Sequence, residues 1–145
     1  MRAADFLLLR KPTPVFPAQV TQLLLGFDFG TRRIGVAIGN TLTRQARPLA
    51  QLDASTIDAR FSAIQRLVDE WKPSKLVVGV PRHSDGAAHA MTATCERFAR
   101  QLQGRFGLPV ARVDERYSSA VVANEDDIDA NAAAVILQQW LDSND

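Results

Sequence analysis

Three carboxylates stand where apolar runs of this 145-residue chain stop. Asp28 breaks the run Leu23–Phe29 (LLLGFDF), Glu115 follows the short run Pro109–Val113, and Asp129 precedes the helix-forming stretch ANAAAVILQQWL. An unpaired carboxylate buried in a core costs several kcal/mol or is driven to take up a proton. Asp28 is therefore expected at a strand end facing a cleft, or beside a cation. Three carboxylates gathered in one cleft repel, and cannot all stay ionised without counter-charge. Mg2+ or Mn2+ is the natural answer, because hard divalent ions take carboxylate oxygens and keep water for chemistry. Two such ions about 4 Å apart would clamp a phosphodiester, activate water and stabilise the leaving oxygen.

Each acid also has a plainer explanation. Asp28 could bond the turn Gly30-Thr31-Arg32-Arg33 that follows it. Asp129 suits a helix N-cap. Glu115 and Arg116 could be a solvated pair at a strand exit, and Asp85 before Gly86 suits a turn. His83 and His89 lie near that turn; a surface position is the default for both, and His83 could contact phosphate. Asp126 and Asp127 belong to an acidic run suited to solvent.

The elements that would position these residues can be read in order. Leu23–Phe29 and Ile34–Ile38 are two apolar strands joined by a tight turn. Ala46–Leu52 reads as a third, and Pro48 marks it as an edge strand or one with a bulge. Ile57, Phe61, Ile64, Leu67, Val68 and Trp71 then recur at helical spacing. Ser55-Thr56-Ile57-Asp58 resembles a capping box, and Pro73 lies beyond the helix end. Lys75–Val80 is a continuous apolar strand, expected to be central and covered on both faces. Pro81–Gly86 is expected as a loop. A second helix is expected from about Asp85 to Phe106, with Ala88, Met91, Cys95, Phe98 and Leu102 as its stripe and Gly104 or Gly107 at its end. Pro109–Val113 is a fifth strand and Tyr117–Asn124 a short helix. A last helix begins near Asp129 and buries Ala133, Ile136, Leu137, Trp140 and Leu141.

The order β-β-β-α-β-α-β-α is that of an α/β protein. It predicts a five-stranded mixed sheet, three antiparallel strands followed by β-α units, with helices on its faces. Ligands of such sheets gather outside the carboxyl ends of the strands. The ends of the first, fourth and fifth strands could share one rim, with the last helix leaning across it. That arrangement would bring Asp28, Glu115 and Asp129 into one cleft.

The length is that of one domain with a real core. Residues 1–22 carry Pro12, Pro14 and Pro17 without periodicity and read as a flexible extension, leaving 23–145 as the domain. Net charge is +1, but residues 23–124 hold fourteen basic and nine acidic residues, mostly Arg on the basic side. That surplus suits an anionic partner and falls far short of a strongly basic nucleic-acid module. A biased use of Arg codons is an equal explanation. The single cysteine, Cys95, excludes an intramolecular disulfide and a cysteine metal site, and its place on a helix stripe predicts a buried, inert thiol. No signal peptide and no membrane span is legible, so a cytoplasmic protein is expected.

Four blocks carry a resemblance: FDFGTRRIGVAIG at 27–39, LVVGVPRHSDG at 76–86, VDERYSS at 113–119 and IDANAAAVILQQWL at 128–141. In order and spacing they resemble the YqgF (RuvX-like) family, from about Leu23 to Leu141. The resemblance implies an RNase H-like fold with helices on both faces of the sheet. It also implies a metal-dependent nuclease, usually assigned to maturing the 5′ end of precursor 16S ribosomal RNA. The metal-binding acids carried over by motif are Asp28, Glu115 and Asp129. Two departures stand out. Arg82-His83-Ser84 occupies a position where members often have Leu-Asn and an apolar residue, and the segment between Ser119 and Asp129 is shorter than is common.

The first functional reading is thus a hydrolase that cuts structured RNA, free or in ribosomal particles. Arg32, Arg33, Arg82 and Arg116 are its candidate phosphate contacts. A second keeps the chemistry but takes a Holliday junction or other branched DNA, which calls for a two-fold dimer rather than a monomer. A third is a non-cleaving RNA-binding module. The motif Asp28-Phe29-Gly30-Thr31 also resembles the phosphate loop of actin-like ATPases, but those need two such domains and this chain has room for one.

Overall fold

The computed structural model describes residues 21–117 and 129–144. Five strands form one sheet: β1 (Leu23–Phe29), β2 (Arg33–Asn40), β3 (Ala46–Asp53), β4 (Lys75–His83) and β5 (Val110–Tyr117), in the order β3-β2-β1-β4-β5. β1 pairs antiparallel with β2, β2 antiparallel with β3, and β4 runs parallel to both β1 and β5. The carboxyl ends of β1, β4 and β5 therefore share one rim, as the element order required. Three helices are described: α1 (Ile57–Trp71), α2 (Thr92–Phe106) and α3 (Ala130–Ser143).

β1 is central, so both its faces are apolar. Leu25, Phe27 and Phe29 join Ile34, Val36, Ile38, Leu76, Val78 and Val80 in a core with α1 and α2. Phe98 of α2 is the hub of that core, with ring centroids 5.9 Å from Phe27, 4.5 Å from Phe29 and 6.2 Å from Phe61. Such aromatic pairs add about 0.5–1.5 kcal/mol each beyond their burial. Cys95 is buried in the same core, and burial first, then the charges of Asp28 and Glu96, push its thiol up to about 12. On the other face Leu24, Ala37 and Val77 pack against Ala133, Ile136, Leu137 and Leu141 of α3.

That second face is built for close approach. A Cβ at Gly26 would lie 2.7 Å from Leu137 Cβ, and one at Gly79 would lie 2.5 Å from Ile136 Cδ1. The missing side chains let α3 lie flat on β1, β2 and β4. Gln138 fixes its far side, accepting from Ala46 N–H and donating to Arg44 O, both at 2.9 Å.

Several boundaries differ from the sequence reading. Thr56, not Ser55, caps α1, accepting from Ala59 N–H at 3.0 Å. α2 begins at Thr92 rather than near Asp85, and Ala88 is exposed. The Asp85 side chain closes a turn by accepting from Ala87 N–H, and Ala88 then pairs with Arg82, which keeps the segment out of the helix. β4 runs on through Pro81, Arg82 and His83, and β5 through Tyr117, because the two strands support each other's ladder to the end. Asp114 and Glu115 therefore lie within β5 and do not follow it. Gly107, at φ 66°, ends α2. Pro48 lies on the edge strand, opposite a register shift at Val36/Ala37. The expected helix at Tyr117–Asn124 lies outside the described residues beyond Tyr117, as do Asp126, Asp127 and residues 1–20. Among the described residues no helix is long and apolar enough to cross a membrane.

Candidate active site

Asp28 is the last residue but one of β1, and alternation with Leu24 turns it to the α3 face. Its cross-strand partner is Gly35. A Cβ on Gly35 would fall inside the carbonyl group of Asp129, so that carbonyl occupies the space of the missing side chain. The tight turn between β1 and β2, closed by Gly30 N–H donating to Arg33 O at 2.9 Å, holds the two strand ends in register. Asp129 then caps α3, its Oδ1 accepting from Ala132 N–H at 2.8 Å, which leaves its second oxygen free of that duty. Glu115 approaches from β5, two strands away and on the same face by alternation with Val113.

The electrostatics register this convergence. The Asp28 carboxyl is pushed up from its ordinary 3.8 to about 7, first by burial, then by the charges of Glu115 and Asp129. Burial also raises Glu115, against a lowering hydrogen bond donated by the Gln139 side chain of α3. The three acids thus share one field. Even so, among the described residues no three His, Cys, Asp or Glu side chains are gathered closely enough to grip a single ion as they stand. Glu115 is turned to Gln139, a partner that no sequence signal pointed to.

The basic candidates are more dispersed. Arg32 and Arg33 lie on the turn after Asp28, Arg32 exposed and Arg33 half-buried, and Arg32 O accepts from Ala54 N–H at 2.9 Å. Arg82 pairs with Asp114 at 3.5 Å, and strand alternation directs both away from the face that carries Glu115. An exposed pair of this kind is worth under about 1 kcal/mol, so a phosphate could displace Asp114 from it. Arg116 is placed on β5 opposite Arg82 by its backbone, and its side chain lies outside the described residues. A residue the sequence reading passed over is Arg60, whose guanidinium lies 4.9 Å from the Phe29 ring centroid and donates to Ala54 O.

A mixed sheet in the order β3-β2-β1-β4-β5, with α1 and α2 on one face and α3 on the other, is the RNase H-like fold. Within that class the chain belongs to the RuvX family, whose model, described as "Holliday junction resolvase", matches residues 22–143. A protein of Paraburkholderia phytofirmans named "Putative pre-16S rRNA nuclease" is 52% identical over 134 residues, covering 87% of this chain and 92% of that one. A protein of the same name from Ralstonia pickettii is 48% identical over 141 residues, covering 92% and 99%. Among solved structures, Thermus thermophilus RuvC with Holliday junction substrate is similar in outline only, at 14% identity and TM-score 0.48, over 84% of this chain and 94% of that one.

Proposed function

We propose that this protein is a metal-dependent nuclease that hydrolyses phosphodiester bonds in the 5′ leader of precursor 16S ribosomal RNA. One observation carries the chemistry: a half-buried carboxyl near the end of the central strand, raised towards neutrality first by desolvation and then by the charges of Glu115 and Asp129. The relatives' shared name supports the substrate. The domain responsible is 23–145.

The donor set fits a hard divalent ion such as Mg2+ or Mn2+, since it offers carboxylate oxygens and no soft ligand. Asp28, Glu115 and Asp129 would hold it, and the bound ion would supply Lewis-acid polarisation of the phosphoryl oxygen and a more acidic water. With its carboxyl raised to about 7, Asp28 would give up a proton to a bound ion, which would make affinity rise with pH. Asp129 serves with the oxygen not engaged by Ala132 N–H. Glu115, hydrogen-bonded to Gln139 here, would give up that bond to reach the same ion. Arg32 and Arg33, on the turn beside Asp28, contact the backbone phosphates next to the one attacked; Arg82 and Arg116 stand at the carboxyl ends of β4 and β5, and Arg82, directed to the other face, would reach only phosphates beyond the rim. Hydrolysis adds the oxygen of a water to phosphorus in line and breaks the P–O3′ bond, with the water's proton ending on O3′, which leaves a 5′-phosphate and a 3′-hydroxyl.

The test is cleavage by wild type and Asp28→Asn, with and without Mn2+, of precursor 16S leader RNA and a four-way DNA junction side by side. RNA cleavage that needs both metal and Asp28 is the expected result. Cleavage of the junction alone would replace RNA by branched DNA as substrate. Full activity in Asp28→Asn would remove the site assignment.

A further inference from the structure

The hairpin that follows β4 has a place in the sheet that its sequence did not announce. β5 pairs with β4 as far as His83, whereas the ladder between β1 and β4 ends at Phe27↔Val78. Beyond Val78, β4 therefore has one vacant edge, on the β1 side. The returning segment fills it: Arg82 bridges Ala88, and His83 N–H donates to Ala87 O at 2.9 Å. Ala87 and Ala88 thus lie on the prolongation of β1, past Asp28, and residues 84–86 form the turn that leads to them. Pro81 is the register partner of Glu115, and His83 follows it by one strand repeat on the same face.

This hairpin is rigidly braced. Gly86 N–H donates to His83 O at 2.8 Å and Ala87 N–H to Asp85 Oδ1 at 2.9 Å. The buried Thr92 hydroxyl donates to Pro81 O and accepts from His89 N–H. Met91 N–H donates to His89 Nδ1 at 3.1 Å, which fixes that ring. His83 stands exposed above it, the two ring centroids 5.3 Å apart.

We propose that His83, buttressed by His89, is a stacking platform for an unpaired base of single-stranded RNA next to the acid cleft. The inference rests on the nuclease reading and adds to it a subsite. Every base has a π-face, so a ring on a pre-ordered loop grips a single strand without reading its sequence, and little ordering entropy is lost on contact. Inside a duplex every base is already stacked on both faces and offers none to it; only the terminal pair of a blunt duplex exposes one. The platform therefore selects a single-stranded segment at the cut.

Binding is measured on the full chain in EDTA, with one fluorescent RNA as a duplex bearing a single-stranded 5′ overhang and another as the blunt duplex. Base–aromatic stacking is worth about 1–3 kcal/mol, so His83→Ala is expected to weaken overhang binding roughly 5- to 150-fold. Blunt-duplex binding should stay within about twofold, since its contacts are phosphate contacts. His83→Phe should restore overhang binding, and His83→Lys should not. Rescue by Lys equal to that by Phe would make the contact a charge contact and overturn the platform, as would equal losses on both RNAs or no loss on either. A wild type that cleaves RNA with Mn2+ while His83→Ala binds normally sinks the platform alone. A wild type that neither binds nor cleaves any RNA sinks the nuclease reading with it.

Discussion

Gly35 and Asp129 compete for one volume: the side chain that Gly35 lacks would stand where the Asp129 carbonyl is. Because Gly35 is also the register partner of Asp28, one absent methyl group lets acids from distant segments meet. Gly35→Ala is expected to push the start of α3 off the sheet, costing about 1–3 kcal/mol, and to weaken Mn2+ binding with it. Gly104→Ala, at an exposed helix position with nothing within 4 Å of the added atom, should instead stabilise by about 0.5–1 kcal/mol. Thermal melts and Mn2+ titrations of the two variants check this; a Gly35→Ala protein with wild-type Mn2+ affinity would break the link.

Asp129 has two duties that substitution can separate. Asn or Ser still caps a helix, whereas Ala does not and costs about 1 kcal/mol. Asp129→Asn should therefore keep the wild-type melting temperature and lose cleavage by about a hundredfold or more, the scale of removing a group that stabilises transition-state charge. Asp129→Ala should lose both. Wild-type rates in Asp129→Asn would reduce Asp129 to a cap.

The stability of the metal-free protein should fall as pH rises. Asp28 titrates at 3.8 when unfolded and about 7 when folded, so between these values the folded chain binds more protons than the unfolded one. Its contribution is complete below about pH 4 and is lost as pH rises through about 7, by up to about 4 kcal/mol. Glu115, raised by burial, acts in the same direction. Asp53, exposed and held low by hydrogen bonds from Ser55, acts in the opposite sense at acid pH. Melting temperatures in EDTA from pH 4 to 8 should drop for wild type and change much less for Asp28→Asn. Adding Mn2+ at pH 8 should recover the loss in wild type alone. Identical slopes in the two proteins would contradict the burial of Asp28.

Cys95 should resist alkylation in the native protein, since its thiol is buried and pushed up to about 12. Iodoacetamide at pH 8 is expected to label it only after denaturation, as mass spectrometry would show; rapid native labelling would mean that α2 opens locally.

The strands and the last helix were legible because apolar runs and helical stripes dominate them. Glu115 was placed past its strand because Asp-Glu-Arg-Tyr has no alternation to read, and only the ladder with β4 extends β5 to Tyr117. The start of α2 was read early because alanines around His89 favour helix, whereas the Asp85 turn and the Arg82–Ala88 bridge outweigh that propensity. Gly35 left a signal that went unused: Gly35, Ala37 and Gly39 put only small groups on one face of β2, the mark of a backbone packed close. The turning of Glu115 to Gln139 left none, because it depends on how far α3 crosses towards β5.

The β1–β2 hairpin brings Asp28 beside Gly35 through a turn of a few residues, while Glu115 and Asp129 come from the far end of the chain. During synthesis the first acid and its socket are complete early, and α3 reaches that socket last. A chain still being translated therefore carries an open acid cluster until residues 129–144 have emerged. The acids can come together only after α3 has cleared the exit tunnel.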